Sequence, residues 1–137
     1  MPALKRSLEI DAPPTEVWRV LTNPELIREW AAVYLDGVSI RTSWREGEPV
    51  TWKAPDGSTQ AVGAIAAFQP ERLLRIEYDA QARGAFPDTF EIVAKEDRTW
   101  LSVSAEKLDE DDLVAAEEAI REIKSLAEES AQIHGLR

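Results

Sequence analysis

The chain has no cysteine, a single histidine and no long apolar run. The lack of cysteine excludes a disulfide framework and a thiolate metal site, and one histidine is too few for the common zinc patterns. No apolar stretch approaches the roughly 18 residues of a membrane span. The opening segment MPALKRSLEI has two basic residues but lacks the apolar core of a signal peptide. We therefore expect a cytoplasmic protein that holds no metal and no cofactor.

Positive charge is also scarce. Sixteen Lys and Arg residues stand against 26 Asp and Glu residues, which gives a formal net charge of -10. Nucleic-acid binding needs a positive footprint, and anionic membrane surfaces repel such a chain, so neither is an expected partner. A length of 137 residues predicts a single domain over 1–137, large enough to bury about two-thirds of its unfolded surface.

Catalytic motifs are missing as well. The one histidine, His134, falls at the end of a predicted helix and is interpreted as a helix-end or surface residue rather than a general base. The acidic run Asp109–Asp112 lacks the ligand spacing and the glycine of a calcium loop. No glycine-rich loop precedes a helix start, which excludes the usual phosphate cradles. The sequence assigns no catalytic residue, and enzymatic activity is not expected.

The last quarter of the chain is predicted to be one long helix, from about Asp109 to His134. Apolar and small residues recur there at steps of three and four, which places them on one helix face. Carboxylates stand at the start, where the helix macrodipole favours them, and Gly135 is the expected stop. The stripe consists of Leu113, Ala116, Ile120, Ile123, Ala127 and Ser130, with Leu126 and Ile133 beside it.

Most of the preceding chain alternates with the period of two that is typical of strands. A first strand at Leu4–Asp11 is followed by two short helices, the second of which begins at the capping pair Asn23-Pro24. About six strands follow, and a small-residue strand at Thr59–Phe68 is expected to carry a bulge near Gly63. In the first hairpin strand one face is predicted to hold Val38, Ile40, Thr42 and Trp44. Strands followed by a terminal helix predict the α+β class.

Four segments resemble one known family in order and spacing. They are the run IDAPPTEVWRVLTNPELIREW, the pattern Trp44-x-x-Gly47-x-x-Val50-x-Trp52, the run GAIAAFQPERLLRIEY, and Thr99-x-Leu101-x-Val103 before the last helix. The chain is similar to the START/birch-pollen-allergen-like (SRPBCC) helix-grip superfamily, and to its branch named after the activator of the heat-shock-protein-90 ATPase. The resemblance implies an antiparallel curved sheet of six or seven strands, with two short helices after the first strand, wrapped around a long C-terminal helix.

The resemblance also implies a cavity between the sheet and the last helix. Strand parity and the family pattern give these candidates for its lining: Trp30, Trp44, Trp52, Tyr78, Phe90, Ala116 and Ile120. Family members often carry a Gly-Trp pair where this chain has Ala115-Ala116. That difference either enlarges the pocket or lets a neighbouring tryptophan fill it. Trp18 is interpreted as core, and Trp100 is expected on the outer sheet face.

Two interpretations of these rings remain open: they line a ligand pocket, or they simply fill the core. A dry void of ~300 Å³ would cost about 7 kcal/mol at ~24 cal/mol per Å³. That is comparable to the whole stability of ~5–15 kcal/mol of a domain. A large interior space must therefore be filled by the rings, by water or by a ligand.

The preferred hypothesis is a protein that binds a hydrophobic or aromatic small molecule. One alternative is an interaction protein that activates a chaperone ATPase, as the branch name implies. The other is an enzyme of the cyclase or hydrolase type, which some superfamily members are; its candidate polar groups would be Arg6, Arg41, Glu77, Tyr78 and Glu91, three of which strand parity places outward. Either a monomer or a homodimer is compatible with the sequence.

Overall fold

A computed structural model describes residues 4–79, 88–96, 98–105 and 110–133 of the protein. These residues form ten elements. They are β1 (Leu4–Ile10), α1 (Pro14–Thr22), α2 (Pro24–Ala31), β2 (Ser39–Arg41), β3 (Pro49–Lys53), β4 (Thr59–Gln69), β5 (Leu73–Tyr78), β6 (Thr89–Lys95), β7 (Arg98–Ala105) and α3 (Glu110–Ile133). None of the helices in these ranges has the length and hydrophobicity needed to cross a bilayer.

The seven strands form one curved antiparallel sheet in the order β1-β7-β6-β5-β4-β3-β2. The two short helices follow β1, and α3 packs against α1, β1 and α2. This arrangement confirms the predicted α+β class and the predicted grip of a sheet on a C-terminal helix. Because β1 and β2 end the sheet on opposite sides, each leaves one strand edge without a strand partner among the described residues.

The buried face of α3 follows the predicted stripe over most of its length. Side chains that are at most 3% exposed are Ala116, Ala119, Ile120, Ile123, Ala127 and Ala131. The prediction was wrong for Ile133, which is 73% exposed in the last residue of the helix. Asp109, His134 and Gly135, which were predicted to bound the helix, lie outside the described residues.

The start of α2 confirms the predicted capping pair. The Asn23 side chain accepts hydrogen bonds from the backbone N–H groups of Glu25 (3.0 Å) and Leu26 (3.3 Å). These two donors have no partner inside the first turn of a helix, and Pro24 at the first helical position lacks the N–H that would need one. The Asn23 side chain therefore caps the start of α2.

Two strands depart from simple alternation. β2 ends at Arg41 and Trp44 has a φ of 59°, so the strand is shorter than predicted. The predicted face from Val38 to Trp44 is still the more buried one, because Arg41 and Ser43 on the opposite face are exposed. In β4 the register against β5 shifts between Ile65 and Ala67, a few residues after the predicted bulge site at Gly63. The extra residue reverses the in-and-out pattern of the strand and places Phe68 opposite the buried Leu74.

Gly37 brings the chain between α2 and β2 against the turn that follows β3. It has a φ of +81°, and a Cβ built on it would lie 2.5 Å from Cγ of Pro55. Gly57 has a similar φ of +89° but no heavy atom within 4 Å of a built Cβ. A side chain at Gly37 would therefore meet both backbone strain and a steric clash, whereas one at Gly57 would meet backbone strain alone.

We expect Gly57→Ala to lower the free energy of unfolding by about 1–2 kcal/mol, because an L-residue is strained at this φ. Gly37→Ala should lower it further, since the added methyl must also displace Pro55. Urea unfolding of both variants measures the difference. Equal losses would show that the contact between residues 37 and 55 is absent.

Candidate functional site

Three of the predicted ring positions meet on the inner face of the sheet. The ring centroid of Trp30, on α2, lies 6.3 Å from that of Trp52 on β3 and 5.8 Å from that of Phe90 on β6. All three side chains are at most 3% exposed, and the pairs meet edge-on, which suits their quadrupoles. The Trp30 indole N–H donates to the carbonyl of Val20 at 2.9 Å, which fixes the ring against α1.

Tyr78 joins this group across an intervening strand. The Trp52 indole N–H donates to the Tyr78 hydroxyl at 3.1 Å, although their strands β3 and β5 are separated by β4. The residues of β4 paired with them are Ala61, opposite Trp52, and Gly63, opposite Tyr78. Their small size leaves room for the two large side chains to meet above β4. The small-residue character of this strand was visible in the sequence, but its role was not.

Trp44 does not belong to this cluster. Its ring centroid lies 6.1 Å from that of Phe68, and Phe68 lies 5.2 Å from Trp18 of α1. The three rings are half-buried and pack against the core from another side. Phe68 was not among the predicted ring positions, because the many small residues of β4 leave the in-and-out direction of its side chains ambiguous in the sequence. A tryptophan at positive φ is uncommon, since that conformation costs about 1–3 kcal/mol.

The two predicted positions on α3 have different neighbours. Ile120 is 3% exposed, belongs to the contiguous core and borders a groove of about 230 Å³ between β1 and α3. In this groove Arg6 donates to Glu117 at 2.6 Å, which explains an arginine on the apolar face of β1. Ala116 is 2% exposed, yet it is not part of the contiguous core cluster among the described residues.

A buried carboxylate that the sequence analysis missed joins α1 to α3. Glu16 is only 4% exposed and accepts a hydrogen bond from the Ser130 hydroxyl at 2.6 Å. Arg19 donates to the same hydroxyl oxygen at 2.8 Å and lies 3.6 Å from the Glu16 carboxylate. In the sequence, Glu16 lies four residues before the apolar Val20, a spacing that places both side chains on the same face of a helix. This spacing was the available signal that Glu16 is buried. Its contacts are those of a helix-to-helix link.

Elsewhere the described residues offer little for catalysis. They include no group of three His, Cys, Asp or Glu side chains that could hold a metal ion. Arg41, Glu77 and Glu91 are exposed, as their strand parity predicted, and Trp100 is 38% exposed on the outer sheet face. The Ser58 hydroxyl and backbone N–H hold the pKa of the exposed Asp56 below its usual value. These hydrogen bonds hold the turn after β3, and the exposed carboxylate is not interpreted as an acid–base site.

Most of the chain matches the model of one protein family. Residues 11–128 match the model described as "Activator of Hsp90 ATPase homolog 1-like protein". The chain belongs to this family. The match confirms the resemblance found in the sequence and covers all the elements except β1 and the last five residues of α3. No curated protein matches the chain.

Several solved structures have a similar fold. An AHSA1-like protein from Aeromonas hydrophila has a TM-score of 0.68 at 17% identity, covering 98% of this chain and 96% of its own. A protein from Chromobacterium violaceum has a TM-score of 0.67 at 16% identity, over 93% and 99%. The Aha1 dimer from Colwellia psychrerythraea has a TM-score of 0.63 at 13% identity, over 96% of both chains. At these identities the likeness shows a shared fold.

Proposed function

We propose that this member of the family binds a hydrophobic or aromatic small molecule between the sheet and α3, beside Tyr78 and Trp52. The observation that carries the proposal is the ring cluster that meets across Ala61 and Gly63. Four large aromatic side chains form an apolar cluster, and the Tyr78 hydroxyl at its half-buried end provides a polar group to orient a ligand.

The degree of burial favours one end of the cluster as the binding surface. Trp30, Trp52 and Phe90 are almost fully covered by their neighbours, whereas Tyr78 is half-buried. A ligand therefore gains contact area next to Tyr78 without separating the other rings. On α3, Ala116 is buried and stands where the family resemblance implies a larger ring, so we propose it as the helix position that leaves room for the ligand.

The test uses the neutral fluorophore N-phenyl-1-naphthylamine and the five tryptophan indole resonances. We expect the probe to shift the indole N–H signals of Trp30 and Trp52 and to leave the signal of the outward Trp100 unchanged. Ala116→Leu should weaken binding at least about tenfold, because a leucine occupies the proposed space at little cost in stability.

The matched control is Ala119→Leu on the same helix. Ala119 is 3% exposed within the contiguous core, so overpacking there should cost about 1–3 kcal/mol of unfolding free energy. Equal destabilisation by both leucines would mean that Ala116 has no space beside it. Binding that survives Ala116→Leu, or shifts confined to Trp100, would place the ligand elsewhere.

The family match favours a second candidate, stimulation of an Hsp90-type ATPase. It rests on the description of the family model and the span that it covers. Adding the protein to the purified chaperone should then raise the ATPase rate, and this effect should persist in Ala116→Leu. An unchanged rate would remove this candidate and leave the ligand proposal untouched.

A further inference from the structure

An open groove of about 690 Å³ lies at the edge of the sheet formed by β2. Its walls come from α2, from β2 and from the turn after β3, which Gly37 brings close to one another. Pro24, Ile40 and Pro55 give it apolar patches. Its volume falls in the range of small-molecule sites, which is about 300–1,000 Å³.

The charged side chains that line this β2-edge groove all carry positive charge. They are Arg28 from α2, Arg41 from β2 and Lys53 from β3. In a chain with a formal net charge of -10, three cations around one groove with no acid in its lining form a local reversal of charge. A concave surface of one sign concentrates ions of the opposite sign.

None of the three cations has a carboxylate partner among the described residues. Within the part of the chain that the structure describes, no carboxylate oxygen lies within 4.0 Å of the guanidinium of Arg28 or Arg41. The Lys53 ammonium donates to the hydroxyl of Thr59 at 2.8 Å, which leaves its charge uncompensated. By contrast, Arg6 and Arg98, which lie outside the groove, each pair with a glutamate.

We propose that the β2-edge groove binds a small organic anion that carries a carboxylate or phosphate group next to an apolar or aromatic part. A guanidinium presents paired N–H donors that match the oxygens of such a group. The apolar part would lie against Ile40 and the two prolines. Acids also lie close to this site. Asp56 stands between the lining residues Pro55 and Gly57 without lining the groove itself. Glu25, Glu29 and Asp36 line a neighbouring groove that shares Arg28, so Arg41 and Lys53 are proposed as the main anchors.

The experiment titrates the whole protein with phenyl phosphate and follows backbone amide signals. We expect shifts at Gly37, Ser39 and Arg41, and we expect binding to weaken with rising ionic strength. Benzyl alcohol, which has the ring without the charge, should bind at least about tenfold more weakly. Sodium benzoate should shift the same amides, because the recognised chemistry is an anionic oxygen group beside a ring.

Matched variants test whether Arg41 and Lys53 bind the anion. Arg41→Gln should weaken phenyl phosphate binding about tenfold, and Arg41→Gln with Lys53→Gln should abolish it. Arg75→Gln is the control, since Arg75 is exposed on β5 and lies outside the groove lining. If Arg75→Gln weakens binding as much as Arg41→Gln does, the effect is general electrostatics and the site is disproved.

This inference is independent of the proposed interior site. Ala116→Leu should leave phenyl phosphate binding unchanged, and Arg41→Gln should leave N-phenyl-1-naphthylamine binding unchanged. A hexaglutamate peptide is the last arm of the test. If the peptide shifts the groove amides and phenyl phosphate does not, the groove recognises an acidic chain and the small-anion proposal is wrong.

Discussion

Replacing Ile123 by alanine is expected to lower the free energy of unfolding by about 2–5 kcal/mol. Ile123 has no exposed surface and lies in the middle of the buried face of α3, the face that packs against α1, β1 and α2. The truncation removes buried methyl groups and leaves a cavity that rigid neighbours on several elements cannot fill. Urea or thermal unfolding, followed by far-ultraviolet circular dichroism, measures the loss.

The control is the same substitution at the end of the same helix. Ile133 is 73% exposed, so Ile133→Ala should change stability by no more than about 0.5 kcal/mol. The pair separates burial from helix propensity, because the residue type and the helix are identical. A small loss for Ile123→Ala, or a loss of similar size at both positions, would show that α3 is not the centre of the core.

Gly63→Ala is expected to have the second large effect on the free energy of unfolding. Whether the protein becomes more or less stable is the informative result. In an open strand position, alanine is more stable than glycine by roughly 0.5–1 kcal/mol. Here a Cβ would lie 2.5 Å from the carbonyl oxygen of Glu77 and 3.0 Å from the Cα of Tyr78. Because backbone atoms of a paired strand cannot move aside cheaply, we expect a net loss of about 1–3 kcal/mol.

The same substitution should disturb the ring cluster. Moving Tyr78 away from β4 lengthens its hydrogen bond with the Trp52 indole, so the Trp52 N–H resonance should shift. Ala64→Gly, at the next residue of β4, is the control: it should lose roughly 0.5–1 kcal/mol from backbone entropy and leave this resonance in place. A Gly63→Ala protein that is more stable than the parent would contradict the close approach of β4 and β5.

Local patterns predicted most of the elements. The Asn23-Pro24 pair, the period of two in the strands and the steps of three and four in the last helix depend on neighbours in the chain, and each is confirmed at nearly the expected residues. Their order and spacing also carried the family resemblance, which the family match confirms. The outward position of Trp100 followed from the same alternation.

Details at the ends of elements and at the register shift did not follow from local patterns. Trp44 follows the end of β2 at positive φ and packs against the core as parity predicted, but its ring neighbour Phe68 was not predicted. Phe68 follows a register shift that is defined only by pairing with β5. Ile133 keeps the helical spacing, but it is the last residue of α3 and is 73% exposed.

The amino-acid sequence by itself determined the elements, their order, the fold class and which faces are apolar, because these depend on residues a few positions apart. Only the tertiary structure decided which rings meet across β4, which carboxylate is buried between α1 and α3, and which cations share the β2-edge groove. Arg28, Arg41 and Lys53 lie on three different elements. Their distances are determined by strand pairing and helix packing, which a one-dimensional pattern does not contain.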